Sequence, residues 1–337
     1  CFRGAIMQDQ RVTTDRASLL AEVAEQYYLE GKDQAEIAAA IGVTRSMISR
    51  MLKEARASGI IEIRIRRKLE SDPALEKQLQ EHFSLLKDSV TRAGAAQSAS
   101  LIKLVGTSGA QVLAEYLNPG TTIGIAWGIF TSATIDAFNE RHIPARVVQL
   151  AGALGASYVE YDGYGLVLRL AQKIGGEPYF LNAPCYCPSL DTVQSLLETP
   201  AIRETVDIGK QTQVALLGIG STERQYSSFY RSGYIPTTEI DQLHDLGAVG
   251  NVCGIHFNLR GESVCDEFSQ HLLAIRPEDL LKVPVRIGVA GGSGKAVPIL
   301  GALRGRLINV LVTDAITANK VLRLAGDAWT SNPSLSI

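Results

Sequence analysis

The sequence predicts an α/β protein in two parts: a small winged helix-turn-helix unit, then a larger domain built on a mainly parallel sheet. Three observations predict it. Three helical patterns fill the front of the chain, the last two separated by a short turn at Gly42. Short apolar runs then alternate with longer stretches of helical period through the rest of the chain. Arg and Lys cluster in the third helix and just beyond it.

The first helix is read from Arg16, where Leu19, Leu20, Val23, Ala24, Tyr27 and Tyr28 recur at helical spacing before Gly31. Residues 1–15 are polar, lack the apolar core of a signal peptide, and are set apart as disordered or extraneous to the fold. The second helix follows Asp33, an N-cap with Glu36 three residues on, the spacing of a capping box. Ile37, Ala38 and Ile41 form its apolar face. Thr44 caps the third helix, which turns Met47, Ile48, Met51, Leu52 and Ala55 inward and stops near Gly59. Two helices joined by a short Gly-containing turn make a helix-turn-helix.

Residues 42–68 hold eight basic and two acidic residues, a net +6, in a chain whose total is −2. A basic stripe on an otherwise acidic protein is the footprint of a polyanion partner. Arg45, Ser46, Ser49, Arg50 and Lys53 face outward on the third helix, with Thr44 at its start and Gln34 on the second. Arg pairs with guanine edges or phosphates, and Ser adapts to either, so these residues are expected to contact duplex DNA. The run IIEIRIRRK alternates apolar and charged residues like a wing, with Arg64, Arg66 and Arg67 facing phosphates or solvent.

Residues 69–85 are read as a linker or dimerisation helix, with Leu75, Leu79 and Phe83 on one side. Beyond it, strands are expected at 121–126, 146–150, 214–217, 285–289 and 308–312. Helices are expected at 98–116, 130–138, 164–174, 296–304 and 315–324. That alternation is Rossmann-like, and ligands in such sheets bind beyond the carboxyl ends of the strands. Small residues stand at several of those ends: Gly128, Gly152 and Gly155, Gly218 and Gly220, Gly291, Gly292 and Gly294. Glycine there admits close approach of backbone N–H groups to a ligand. VAGGSGK is not a nucleotide loop, because Val289 stands where the first Gly is required and Ala296 where Ser or Thr is required. It reads instead as a strand-to-helix turn that brings Lys295 to the same edge.

The five cysteines, at 1, 185, 187, 253 and 265, lack zinc-site spacing and are expected to be reduced apolar residues. No apolar run is long enough to span a membrane. A cytoplasmic chain with no metal, cofactor or catalytic residues is expected.

In order, EQYYLEGKDQAEIAAAIGVTRSMISRMLKEARASGIIEI, TIGIAWG, VVQLAGALG, NAPCY, LLGIGS, GAVGNVCGIHFNLRG, GGSGKAVPILGAL and LVTDAITANKVL resemble the SorC/DeoR-type family of sugar-binding transcriptional regulators over nearly the whole chain. The resemblance implies an effector domain similar to sugar-phosphate isomerase and deaminase folds. It also implies a homodimer or homotetramer, and a sugar, polyol or sugar-phosphate effector. It places the family's ligand-facing Lys on Lys295, its acidic residue on Asn251, and its phosphate-cradling turn on Trp127, Gly128, Ile129 and Phe130. His256 joins the candidates as a neighbour of Asn251. Two departures, Ile129 and Phe130 in place of hydroxyl residues and Asn251 in place of a carboxylate, leave room for an unphosphorylated sugar or polyol. An Asn can both donate to and accept from a hydroxyl, whereas a carboxylate only accepts.

Two competing readings stand beside a DNA-binding regulator of carbohydrate catabolism. One is a sugar-phosphate isomerase or deaminase fused to the helix-turn-helix, using Asp162, Asp314 and His256. The other is a C-terminal domain that only oligomerises.

Overall fold

The structure, a computed structural model, describes residues 3–61, 69–93, 98–155, 161–233 and 236–330. It divides into two compact units, residues 1–68 and 69–337.

In the first unit, helices α1 (Arg3–Tyr28), α2 (Gln34–Ile41) and α3 (Arg45–Ala57) enclose one small core. The first helix begins well ahead of Arg16, so it runs through most of the segment set apart from the fold. Leu20, Val23 and Ala24 meet Ile37, Ala38, Ile48, Met51, Leu52 and Ala55 in the core. Asp33 caps α2 by accepting from the backbone N–H of Ala35 and Glu36, and Glu36 accepts in return from the Asp33 N–H. Gly42 closes α2 in the left-handed region, φ 73°, which a β-carbon would strain. Met47 corrects the sequence reading: it is 44% exposed. Ile48, Met51, Leu52 and Ala55 already complete the i, i+3, i+4, i+7 stripe, and Met47 is left at its margin. The expected wing, with Arg64, Arg66 and Arg67, lies outside the described residues.

The second unit carries a seven-stranded sheet in the order β1-β10-β9-β5-β2-β3-β4, with every neighbouring pair parallel. Its strands are β1 (Lys87–Thr91), β2 (Thr122–Ile125), β3 (Arg146–Gln149), β4 (Glu177–Tyr179), β5 (Val214–Gly218), β9 (Val285–Val289) and β10 (Val310–Asp314). A small antiparallel sheet joins β6 (Gly220–Ser221), β7 (Gly250–Val252) and β8 (Ile255–Phe257). The period of two along each strand divides the core. Val214 and Leu216 pack with Ile123, Ile125 and Val312 in one cluster, while Ala215 and Leu217 pack with Leu311 in the other. Helices α5 (Ser98–Tyr116), α6 (Ile129–Ala137) and α7 (Gly163–Ile174) supply the first cluster. Helices Ala296–Arg304 and Ala315–Thr330 supply the second. A third cluster, around Trp127, Phe229 and Phe268, gathers beyond the ends of β2 and β3.

The segment read as a linker belongs to this unit. Helix α4 (Pro73–Phe83) buries Leu75 and Leu79 in the same core as Val90 of β1 and Val321 of the last helix. Glu76 also accepts the backbone N–H of Val90 at 2.9 Å. The chain therefore enters the domain at Leu69, not after residue 85. Leu79→Ala should lower the unfolding free energy of the domain by about 3 kcal/mol in urea denaturation, the cost of a core cavity. A free linker helix would show no such loss.

Candidate functional site

On α3, the stripe opposite the core is open. Arg45, Ser46, Arg50 and Lys53 are exposed, and Ser49 is half-buried. Thr44 fixes the start of this face, its hydroxyl accepting the Met47 N–H at 3.3 Å and lying 3.0 Å from the Ser46 hydroxyl. Gln34 opens α2 and is half-buried. Among the described residues no ion pair engages Arg45, Arg50 or Lys53. The one acidic residue of α3, Glu54, is held by Arg16 at 2.7 Å, so it does not offset them. Arg45, Ser46, Arg50 and Lys53 thus stand exposed along α3, and Met47, which the sequence reading turned inward, is exposed as well.

In the second unit, strand order locates the other site. From β2 the chain moves outward through β3 and β4, then crosses back to β5 on the other side of β2 and continues to β9 and β10. The order reverses between β2 and β5, and a crevice opens at such a point beyond the carboxyl ends of the strands. Gly128 and Gly218 meet there. A β-carbon on Gly218 would lie 2.8 Å from the Trp127 carbonyl oxygen, and one on Gly128 would lie 3.4 Å from the Gly218 Cα. Gly128 also has φ 154° and donates its N–H to the Tyr161 carbonyl oxygen at 3.3 Å. Only glycine satisfies both the approach and the backbone conformation.

Around this pair stand the other candidates. Ile129 and Phe130 form the first turn of α6, and Phe130 packs beside Gly291. Lys295 ends a 3₁₀ turn (Ser293–Lys295) after β9 and donates Nζ–H to the Ile219 carbonyl oxygen at 3.0 Å. Burial, with the charge of Arg231 adding to it and Glu223 opposing it, pushes the Lys295 amine down to about 8. Asn251 on β7 lies against Gly220, where a β-carbon would approach its amide nitrogen to 2.5 Å. Its carboxamide makes no hydrogen bond among the described residues, although it is only 5% exposed. Gly292 is fixed by Asp314, which accepts the Gly292 N–H at 2.8 Å and the Thr317 N–H and hydroxyl at 3.0 and 2.6 Å.

Two candidates fall outside the crevice. Gly152 is wedged against Ala183 and Pro184, where a β-carbon would approach the backbone to 2.6 Å, and its N–H is spent on the Leu273 carbonyl. Its smallness serves packing. His256 is 1% exposed, between Phe229 and Phe268 at ring distances of 5.5 and 5.3 Å. Burial pushes its imidazole down to about 4, so it is neutral near pH 7. Its place in the register of β8 turns it into the aromatic cluster, which no local signal reveals. Conversely, the structure brings Glu223 and Arg231 near Lys295 and Thr131 beside Gly128, three residues that carry no motif in the sequence. The Thr131 hydroxyl is buried without a partner next to Gly128. The one signal for Thr131 is its place three residues after Gly128, on the first turn of α6.

The sugar-binding domain family matches residues 67–323, most of the chain. The chain belongs to the SorC/DeoR-type family of sugar-binding transcriptional regulators. Among its relatives, the transcriptional regulator LsrR of Enterobacter sp. (strain 638) is 34% identical over 91% of this chain and 94% of its own length. The sorbitol operon regulator of Klebsiella pneumoniae is 28% identical over 92% and 99%. The full-length crystal structure of the sorbitol operon regulator SorC from Klebsiella pneumoniae superposes with a TM-score of 0.71 at 27% identity. It covers 90% of this chain and 98% of that one. This SorC/DeoR-type regulator therefore couples a DNA-binding unit to a sugar-binding effector domain. No helix among the described residues is long and apolar enough to cross a membrane.

Proposed function

We propose that α3 reads operator DNA through Arg45, Ser46, Ser49, Arg50 and Lys53, with Thr44 and Gln34 at the flanking phosphates. We further propose that the crevice between β2 and β5 holds the effector. The observation that carries the reading is the basic face of α3, capped at its start by Thr44, with Arg45, Arg50 and Lys53 exposed and in no ion pair among the described residues. Relatives named as regulators of a sorbitol operon and of deoxyribonucleosides support a carbohydrate-related operon as the target.

In the crevice, Lys295 and Asn251 present donors to a polyhydroxylated ligand, and the missing side chains of Gly128, Gly218, Gly220 and Gly292 allow it close approach to the backbone. Asn251 in place of a carboxylate and the apolar Ile129 and Phe130 favour an unphosphorylated sugar or polyol. The protein acts by binding rather than turnover. His256 is packed and neutral, Asp314 is spent on Gly292 and Thr317, and Asp162 accepts the Leu154 N–H at 3.3 Å. The reacting groups an isomerase or deaminase would require are thus engaged in structure. A cytoplasmic homodimer or homotetramer fits the same reading, with effector binding shifting the spacing of paired α3 helices.

Selection of duplexes from a random pool by the full chain should yield a two-fold-related motif with half-sites spaced by a helical turn, about 10 base pairs, or a multiple of it. A thermal-shift screen of sugars, polyols and their phosphates should then find a ligand that raises the melting temperature and changes affinity for that motif. An unstructured selection result would remove the DNA reading; a screen with no responder would leave the second unit as an oligomerisation domain.

A further inference from the structure

A second polar cavity, of ≈ 600 Å³, opens at the other end of the sheet, beside the amino ends of β9 and β10 and the end of α4. Arg286, Arg304, Arg306, His82 and Asn309 line it, and no carboxylate does. Arg286 is 9% exposed. Its Nη groups donate to the carbonyl oxygens of Val283, Leu281 and Arg306, while its Nε is buried without a partner. Arg304 donates to the Leu259 carbonyl oxygen at 3.1 Å. Arg306 is exposed, and among the described residues its guanidinium has neither hydrogen bond nor ion pair. Burial lowers the pKa of both Arg286 and Arg304, and no acidic group offsets it. Backbone carbonyls satisfy N–H geometry but leave the charge uncompensated. Three arginines thus line one cavity with no carboxylate in its lining.

Arg306 is also held at φ 52°, a conformation that costs a side chain, and in that pose its carbonyl receives Arg286. Asn309 ties the same corner together, accepting the Arg286 N–H at 2.7 Å and donating to the Pro284 carbonyl oxygen at 2.8 Å. The cluster is a built feature and not a scatter of surface charges.

We propose that this cavity binds a small phosphate-bearing anion, at a site separate from the crevice between β2 and β5. The forked donors of arginine match tetrahedral phosphate oxygens, and a ligand of charge −2 or more balances the cluster. The site stands independently of the effector reading, since it shares no residue with that crevice.

Pyrophosphate is the probe, against sodium chloride of equal ionic strength, with the full chain followed by thermal shift and calorimetry. Wild-type protein should show a saturable rise in melting temperature. Arg306→Gly relieves the backbone strain and keeps the carbonyl that holds Arg286, so it should fold at least as stably yet bind pyrophosphate roughly tenfold more weakly. Arg304→Ala should weaken it likewise, and Lys295→Met should keep the response. An unchanged response in Arg306→Gly, or one lost in Lys295→Met instead, would overturn the proposal. An equal response to citrate would overturn the phosphate class. Loss of operator affinity in Arg306→Gly with the pyrophosphate response intact would assign the patch to DNA phosphates and likewise overturn it.

Discussion

Replacing Arg45 and Arg50 together with alanine should weaken binding to a selected operator duplex by roughly 100-fold while leaving the melting temperature in place. Both side chains are exposed, and neither enters the α3 core of Ile48, Met51, Leu52 and Ala55, so stability should change by no more than about 0.5 kcal/mol. The salt dependence separates the contacts. Each guanidinium that faces a phosphate removes roughly one from the slope of log affinity against log salt when it is deleted. One that faces a base edge lowers affinity at a given site and relaxes the sequence preference there. Anisotropy titrations of the single and double variants at several salt concentrations distinguish the two roles. Operator affinity unchanged in the double variant would place the recognition surface elsewhere, despite the open basic face.

The second large effect is expected at Lys295. Its amine is pushed down to about 8, chiefly by burial and then by Arg231, whereas an unfolded lysine titrates near 10.5. Between these values the unfolded chain binds the proton and the folded one does not, so stability should rise as pH climbs from about 8 to about 10.5. At pH 7 the charged amine is a net cost in the folded state. Lys295→Met should therefore flatten the alkaline rise and stabilise the apo protein at pH 7 by on the order of 1–2 kcal/mol, net of the hydrogen bond lost to Ile219. The same change should weaken the effector found in the sugar and polyol screen by roughly tenfold or more, because a charged donor at the crevice is removed. A more stable variant with diminished ligand response identifies Lys295 as a binding residue that costs stability. A variant that responds fully to the ligand would remove Lys295 from the site.

Local interactions made part of this protein legible in its sequence. The capping box of Asp33 and Glu36, the Thr44 cap and the end of α2 at Gly42 each depend on atoms within about four residues, and each stands in the structure as read. Helices at 98–116 and 296–304 have the bounds their apolar patterns predict, the second being buried nearly all round. The glycines at the ends of β2, β5 and β9 could be picked out singly for the same reason.

Strand order was not legible, because pairing across a sheet joins segments far apart in the chain. β1 and β4 carry weak apolar signals, and neighbours decide them: β1 pairs with β10 and β4 with β3. The same pairing turned α4 from a linker into core. Burial likewise decided the candidates that moved. Met47 lies at the margin of a stripe its neighbours had filled, His256 points into an aromatic cluster assembled from three segments, and Gly152 is small because Ala183 and Pro184 press on it. The sequence by itself determined where α2 and α3 begin, where charge accumulates and that Gly42 closes a turn, since those are energies of neighbouring residues. Only the tertiary structure decided which of those turns face one another across β2 and β5, and which polar groups are left unpaired, since both depend on contacts between distant segments.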